Sequence, residues 1–347
     1  MTQSDNCVLD NGVRSLFDID LALIGDYSRD CGLLFPGDDL DAAIRGIIHA
    51  SHFDGCWDDK ALEDIASYYL FLPAIVAMQF REFAPDYYPF RYWADCLSDI
   101  ITASDPTGMK VLHAACACEE TALAGCEMVK ALLGQDHIAS YDIVDLCSIT
   151  INRISRFAEL TSFAQGINFH ATVGRIEDIP SGSAYDLILT DRLLGGSPQE
   201  EYDIGILRNF KRVLRDGGML VTAVEAMAHA VLSDQPNPPG ELCHEYFCRR
   251  YGSMSDGRDA KVGLTREQWH DLSERYHRVM ANTYFSVQRQ WRIRSAGDVI
   301  RLLRSAGFGT FDIRRIHFGD PVTWEDIQLR TANVEEMEGS LIVYATK

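Results

Sequence analysis

The sequence predicts an α/β protein built around a mostly parallel sheet. Between residues 110 and 224, short apolar segments alternate with segments of helical spacing, as expected for strands joined by crossover helices. The second apolar segment ends in an acid, Asp145, and Gly217-Gly218 forms a turn before the last one. Parallel sheets bind ligands outside the carboxyl ends of their strands, so the candidate site residues are those that end or follow each apolar segment.

The individual elements follow from the same alternation. The predicted strands are 110–115, 138–145, 167–172, 185–190 and 218–224. The predicted helices between them are 119–133, 148–163 and 199–215. A further helix begins at Ser295 and is expected to end at Gly307, because glycine readily adopts the positive φ of a helix C-terminus. The apolar segments 311–318 and 340–346 are predicted to be the final strands.

Residues 1–106 are predicted to form a helical region that precedes the sheet domain, 107–347. Within this region, Leu40–His49 and Ala61–Leu70 have apolar residues at helical spacing, and prolines separate the helical segments. The aromatic segment Tyr87–Trp93 has two interpretations: it packs between helices as part of a core, or it closes over the active site as a lid.

The composition argues against several classes of protein. The 347 residues carry a net charge of −19, and such an acidic chain repels the phosphates of nucleic acids. No apolar segment approaches the ~20 residues of a membrane span, and the first residues lack the features of a signal peptide. The ten cysteines form neither a disulfide framework nor paired zinc-ligand motifs. We therefore expect a cytoplasmic protein with reduced thiols, no metal site, and no nucleic-acid or membrane partner.

The charge is unevenly distributed along the chain. Residues 1–105 contain 19 acids and 6 bases, a net charge of −13, whereas residues 226–295 contain 8 acids and 10 bases, a net charge of +2. Solubility is the simplest interpretation of the acidic part. The relatively basic segment could face an anionic part of a small substrate.

The first predicted strand leads into an unusual turn, Val111-Leu-His-Ala-Ala-Cys-Ala-Cys-Glu119. Over residues 108–225 and 296–347, the chain resembles the class I S-adenosylmethionine (SAM)-dependent methyltransferases in the position of this turn and in the order and spacing of the later segments. That family has an acid at the strand end and three glycines in the turn. Here His113 replaces the acid, alanines replace two glycines and Glu119 replaces the third. The resemblance implies a Rossmann-like, mostly parallel seven-stranded sheet with an antiparallel last strand, and SAM as the cofactor.

The resemblance also implies a set of cofactor-binding residues at the ends of the predicted strands. These residues are His113, Ala114, Ala115, Ala117, Glu119, Asp145, Leu146, Arg175, Ile176, Glu177, Thr190 and Asp191.

The replaced glycines can be assessed from their chemistry. Alanine at positions 115 and 117 still permits close approach of a ligand wherever φ is negative. Glu119 is favourable at a helix N-terminus but would repel a phosphate, whereas SAM has no phosphate and carries an ammonium, a carboxylate and a sulfonium. Glu119 could equally be an ordinary helix-start acid that contacts no ligand. We expect Glu119→Gly to leave the fold intact.

Asp145 is expected to accept hydrogen bonds from both ribose hydroxyls, as acids do at the equivalent place in dinucleotide-binding folds. Asp142 is the alternative, but Asp145 directly precedes the next helix and fits better. A purely structural role for Asp145 as a helix-cap acid also stays open.

Two further segments supply the remaining contacts implied by the resemblance. Gly174–Pro180 corresponds to the adenine-side loop, with Arg175 where an acid is usual, Ile176 able to pack on the adenine and Glu177 expected to face solvent. Thr190 and Asp191 end the fourth strand, near the methionine part and the reacting methyl group. Asp191 either holds the ammonium, faces the acceptor, or caps the following turn.

The segment 226–295 interrupts the sheet pattern and is predicted to contain an amphipathic helix, Thr265–Met280. In the family it resembles, the equivalent segment shapes the acceptor pocket, so we expect a substrate cap here. It is rich in histidine and aromatic residues, and His229, which closely follows the fifth strand, is the predicted base alongside Asp191.

The resemblance implies transfer of the sulfonium methyl group to a small molecule by in-line displacement. Two alternatives stay open. The chain could instead cyclise or cleave SAM with release of methylthioadenosine, or it could be a scaffold that binds no cofactor. The sequence identifies neither the acceptor nor the oligomeric state, for which a homodimer is one option.

Overall fold

A computed structural model describes a large part of the chain. The described residues are 40–53, 62, 63, 66, 69, 108–116, 119–161, 164–191, 193–195, 199–225, 293, 295–315 and 340–347. The predicted helix Thr265–Met280, the aromatic segment Tyr87–Trp93 and most of the predicted substrate cap lie outside these residues. The boundaries of the proposed domains therefore remain predictions.

Five helices and seven strands are described. The helices are α1 (Leu40–Ala50), α2 (Glu119–Leu133), α3 (Ser148–Thr161), α4 (Glu200–Val213) and α5 (Ala296–Ala306), with 3₁₀ turns at Gln135–His137 and Ile176–Asp178. The strands are β1 (Met109–Ala114), β2 (Ile138–Asp145), β3 (Phe169–Val173), β4 (Tyr185–Asp191), β5 (Leu214–Glu225), β6 (Thr310–Arg315) and β7 (Ser340–Thr346). None of the described helices is long and apolar enough to cross a membrane.

The strands form one sheet in the order β3-β2-β1-β4-β5-β7-β6. The first five strands pair in parallel, and β7 is antiparallel to both β5 and β6. The predicted fold class, a mostly parallel sheet with an antiparallel last strand, is therefore confirmed.

The start of β5 is the largest boundary difference from the prediction. The strand begins at Leu214, which pairs with Tyr185, and the register then shifts so that Met219 pairs with Leu187. Gly217, with φ +77°, lies in this irregular part. The predicted glycine turn therefore interrupts strand pairing that has already begun, instead of preceding it.

One face of the sheet packs against α4 and α5. Leu112, Ile188 and Leu220 from the central strands are fully buried in this core with Phe210 and Leu303 from the two helices. Helix α5 begins with a capping box between Ser295 and Asp298 and ends at Gly307, whose φ of +91° confirms the predicted stop. Removal of apolar surface from water is the main stabilising contribution of this layer.

The opposite face contains a buried polar contact beneath α2. His113 and Tyr141, on neighbouring strands, are both fully buried, and His113 Nδ1 lies 2.8 Å from the Tyr141 hydroxyl. Gly125 of α2 covers them. A Cβ atom at position 125 would lie 2.7 Å from the Tyr141 hydroxyl and 2.8 Å from His113 Cε1. The helix can therefore approach this pair closely only because residue 125 is glycine.

Gly125→Ala is expected to destabilise the protein by about 1–3 kcal/mol, the usual cost of overpacking a filled core. Gly205 of α4 is a matched control, because a Cβ there would meet nothing within 4 Å. Gly205→Ala should stabilise by about 0.5–1 kcal/mol through helix propensity. Urea unfolding of both variants measures the two effects, and stabilisation by both substitutions would contradict the packing described.

Candidate functional site

The carboxyl ends of β1, β2, β3 and β4 bring together residues that are far apart in sequence. The Ala115 N–H donates to the Val144 carbonyl at 2.9 Å, and the Gly174 N–H donates to the Asp145 carbonyl at 3.0 Å. The loops after β1, β2 and β3 are thus connected side by side. Ala114 pairs with Thr190 across β1 and β4, which places the fourth strand end at the same edge.

Asp145 ends β2 and is almost fully buried, at 3% exposure. Its Oδ1 accepts the Cys147 N–H at 2.8 Å, so the carboxylate organises the loop that leads into α3. Burial, and secondarily the Asp145 charge, raise the pKa of the Cys147 thiol to about 11. Asp145 therefore has a structural role in the loop before α3, and its binding of ribose remains a prediction. Leu146 lies between these two residues, half-buried at the same edge.

Ala115 has a φ of +55°, the only positive value for a non-glycine residue in the described part of the chain. Alanine is expected to be tolerated where φ is negative, and position 115 does not meet that condition. The backbone keeps the left-handed turn that glycine would supply without strain.

Ala115→Gly is expected to stabilise the protein by about 0.5–1 kcal/mol, because glycine removes the strain of the left-handed conformation. Ala139→Gly is the matched control, since Ala139 is exposed within β2. Glycine in a strand costs about 0.5–1 kcal/mol, so the control should be destabilised. Thermal unfolding of the two variants in parallel shows whether each substitution raises or lowers stability. Equal destabilisation of the two variants would contradict a strained turn at Ala115.

Glu119 begins α2 and forms a buried ion pair that sequence reasoning missed. Arg153 of α3 donates from Nε to Oε1 at 2.6 Å and from Nη2 to Oε2 at 2.8 Å, and both side chains are 2% exposed. Arg153 Nη1 also donates to the Tyr69 carbonyl at 2.9 Å. Glu119 thus joins α2, α3 and the N-terminal region. Its partner could have been suspected because Arg153 lies among apolar residues of a predicted helix.

His113 was predicted to bind cofactor in place of the usual acid. Its ring is instead fully buried on Tyr141 under α2, so in this structure the imidazole cannot reach a ligand at the strand edge. The physical reason is the strand alternation, which directs every second side chain of β1 toward α2. His113 can contribute only its main chain to the site.

The predicted adenine-side loop follows β3 and is held in place by α4. Ile176 is buried in the core, and Glu177 is exposed. Arg212 donates from Nη1 to the Ile179 carbonyl at 2.8 Å and from Nη2 to the Glu177 carbonyl at 3.1 Å. Arg175 lies at the start of the turn in extended conformation. The loop is therefore well anchored beside Asp145, while its contacts with adenine remain predictions.

The end of β4 carries Thr190 and Asp191. Thr190 is fully buried, and its hydroxyl makes no hydrogen bond to any residue that the structure describes. Asp191 is half-buried at the strand tip. The following turn is held by Asp203 of α4, whose Oδ2 accepts the Gly195 N–H at 3.1 Å. A buried hydroxyl that lacks a partner at this edge suits a site that a polar ligand completes.

Two predicted site residues, Ala117 and His229, lie outside the described residues. Among the side chains the structure does describe, no group of three or more histidine, cysteine, aspartate or glutamate residues could hold a metal ion. The roles of Ala117 in cofactor binding and of His229 as a base stay predictions.

The strand order identifies the fold. Dinucleotide-binding folds have the parallel order 3-2-1-4-5-6, and here the antiparallel β7 lies between β5 and β6. The chain has the fold of the class I SAM-dependent methyltransferases.

Comparisons with known proteins give only distant similarities. No protein-family model and no curated protein matches the chain. The CMeT domain of the citrinin polyketide synthase is 12% identical, with 89% of this chain and 66% of that chain covered and a TM-score of 0.48. The structure of PigF with SAH is 16% identical, with 89% of this chain and 69% of that chain covered and a TM-score of 0.45. An arsenic(III) SAM methyltransferase from Chlamydomonas reinhardtii is 17% identical, with 70% of this chain and 64% of that chain covered and a TM-score of 0.37.

Proposed function

We propose that this protein is a SAM-dependent methyltransferase that acts on a small molecule. The observation that carries the proposal is the buried carboxylate of Asp145 at the tip of β2, beside the turn that follows β1. An acid in this place can accept the hydroxyls of a ribose whose nucleoside lies across the strand ends.

The charges at the edge favour a cationic ligand over a phosphate. Asp145 and Asp191 lie at the tips of β2 and β4, and the carboxylate of Glu119 pairs with Arg153. Because Arg153 pairs with Glu119, this carboxylate repels a phosphate less than the sequence suggested. The two strand-tip acids take its place, because they would attract the ammonium and sulfonium of SAM.

The described residues also fit the adenine and the polar groups of the methionine part of the cofactor. The loop at 174–176 adjoins Asp145 and can contact the adenine, and the buried Thr190 hydroxyl can bond to the methionine part. Bound SAM would supply an activated methyl group with a good leaving group. The protein would then align donor and acceptor, exclude water and, through Asp191 or His229, remove a proton from the acceptor.

Calorimetric titration with S-adenosylhomocysteine tests the proposal through Asp145. We expect one site per chain and a loss of about 1–3 kcal/mol of binding free energy in Asp145→Ala, because ribose hydroxyls would be left unpaired. Asp145→Asn retains an oxygen that can accept the Cys147 N–H, so it separates a loss of binding from a loss of loop structure.

Asp142→Ala is the control, because Asp142 lies three residues before the end of β2 and contacts His170 at 2.9 Å on the surface. It should bind like the unmodified protein. Equal affinity for Asp145→Ala and the unmodified protein would remove Asp145 from the ribose site.

Incubation with SAM alone should release no methylthioadenosine, whereas its release would indicate cyclisation or cleavage in place of methyl transfer.

A further inference from the structure

The end of α1 is hydrogen-bonded to the loop that leaves Asp145. The His52 N–H donates to the Leu146 carbonyl at 2.9 Å, and the Ser148 N–H donates to Ser51 Oγ at 3.1 Å. The two serine hydroxyls also lie 3.4 Å apart. The segment of residues 40–53, which lies far earlier in the chain, is therefore hydrogen-bonded to the start of α3.

This contact gives an acceptor to an N–H group at the start of α3. The first N–H groups of a helix lack intrahelical acceptors and need side chains or water. Here the Cys147 N–H is accepted by Asp145 from within the loop, and the Ser148 N–H is accepted by Ser51 from the N-terminal segment. Ser51 therefore acts as a helix cap supplied from elsewhere in the chain.

The docking of this segment is more than one hydrogen bond. Phe53 is 2% exposed and stacks on Tyr69 with ring centroids 6.2 Å apart, and the Tyr69 carbonyl accepts the Arg153 guanidinium. Arg153 in turn holds Glu119, which begins the helix after the β1 turn. Residues 51–53 and Tyr69 thus contact the elements that follow both β1 and β2.

We propose, on the basis of the function proposed above, that Ser51 is a positioning residue that holds the Asp145 loop in its ribose-binding shape. Without the Ser51 hydroxyl, the Ser148 N–H loses its acceptor and the loop samples other conformations. The ligand must then order the loop when it binds, and this ordering weakens affinity. By linkage, cofactor binding strengthens the docking of residues 40–53 to the same extent.

Titration of the intact protein with S-adenosylhomocysteine tests this role. Ser51→Ala should weaken binding about two- to tenfold, the range expected for one lost hydrogen bond. Ser51→Thr retains the hydroxyl and should restore most of the affinity, which a loss of packing alone would not allow. Ser295→Ala is the matched control, because Ser295 also caps a helix, α5, but this helix packs with α4 on the face of the sheet opposite to α2. It should lower the melting temperature without changing affinity.

Hydrogen exchange provides a second measurement of the same coupling. S-adenosylhomocysteine should slow exchange of the amides in residues 40–53 of the unmodified protein, and should do so less in Ser51→Ala. Unchanged affinity in Ser51→Ala, or equal losses in Ser51→Ala and Ser295→Ala, would overturn the role of Ser51 alone. Failure of the unmodified protein to bind would instead contradict the proposed function.

Discussion

Arg153→Leu is expected to remove about 3–5 kcal/mol of stability, the cost of leaving a buried charge without its partner. Arg153 and Glu119 are each 2% exposed and form two hydrogen bonds of 2.6 and 2.8 Å. Loss of the guanidinium leaves the Glu119 carboxylate in the interior and also deprives the Tyr69 carbonyl of its donor. Urea unfolding followed by circular dichroism measures the loss.

The same ion pair reverses the sequence-based expectation for Glu119→Gly. That variant was expected to keep the fold intact, but it removes the carboxylate that pairs with the buried Arg153, so it should be as damaging as Arg153→Leu. Glu119→Leu with Arg153→Leu removes both charges and should recover part of the loss. Arg156 of the same helix is the matched control, because its pair with Glu159 is exposed. Arg156→Leu should change stability by no more than about 0.5 kcal/mol, and a loss similar to that of Arg153→Leu would contradict the account.

Stability is expected to fall as the pH falls below about 6.5, because His113 must remain neutral in the folded protein. Burial lowers the pKa of His113 from 6.5 to about 3. Between these values the unfolded chain binds a proton that the folded protein does not. Folding therefore becomes less favourable by about 1.4 kcal/mol per pH unit, and the contribution is fully present only above pH 6.5.

Comparison of unfolding free energies at pH 7, 6 and 5 isolates this effect. His113→Gln lacks the titrating group and should have a shallower pH dependence than the unmodified protein, by about 1 kcal/mol per unit below pH 6. Tyr141→Phe retains the buried imidazole and should keep the original slope. Contributions from the carboxylates are common to all three proteins and cancel in the comparison. Equal slopes for His113→Gln and the unmodified protein would show that His113 does not resist protonation.

The sheet could be predicted well because its signals are local. Alternation of apolar segments and helices predicted all seven strands that the structure describes, and α2 was predicted at 119–133 as observed. Gly307 was predicted to end α5 from its conformational preference alone. The start of β5 was missed because pairing at Leu214 depends on Tyr185 of another strand, which no local pattern encodes.

The sequence could predict which strand ends form the candidate site, but it could not predict the side-chain contacts within it. Asp145 was located correctly because an acid that directly ends an apolar segment has a defined place in the sheet. The roles of Glu119 and His113 were missed, because each depends on a partner from a distant segment, Arg153 and Tyr141. The sequence offered one signal for the first pair, the place of Arg153 among apolar residues of a predicted helix. The contact of Ser51 with Ser148 spans 97 residues and is likewise invisible in the sequence.

A crystal structure of the protein with S-adenosylhomocysteine tests the central claim most directly. The account predicts that the nucleoside lies across the carboxyl ends of β1 and β2, with the ribose hydroxyls within hydrogen-bonding distance of the Asp145 carboxylate. An empty edge at millimolar ligand, or a ligand bound elsewhere without contact to the Asp145 carboxylate, would contradict it.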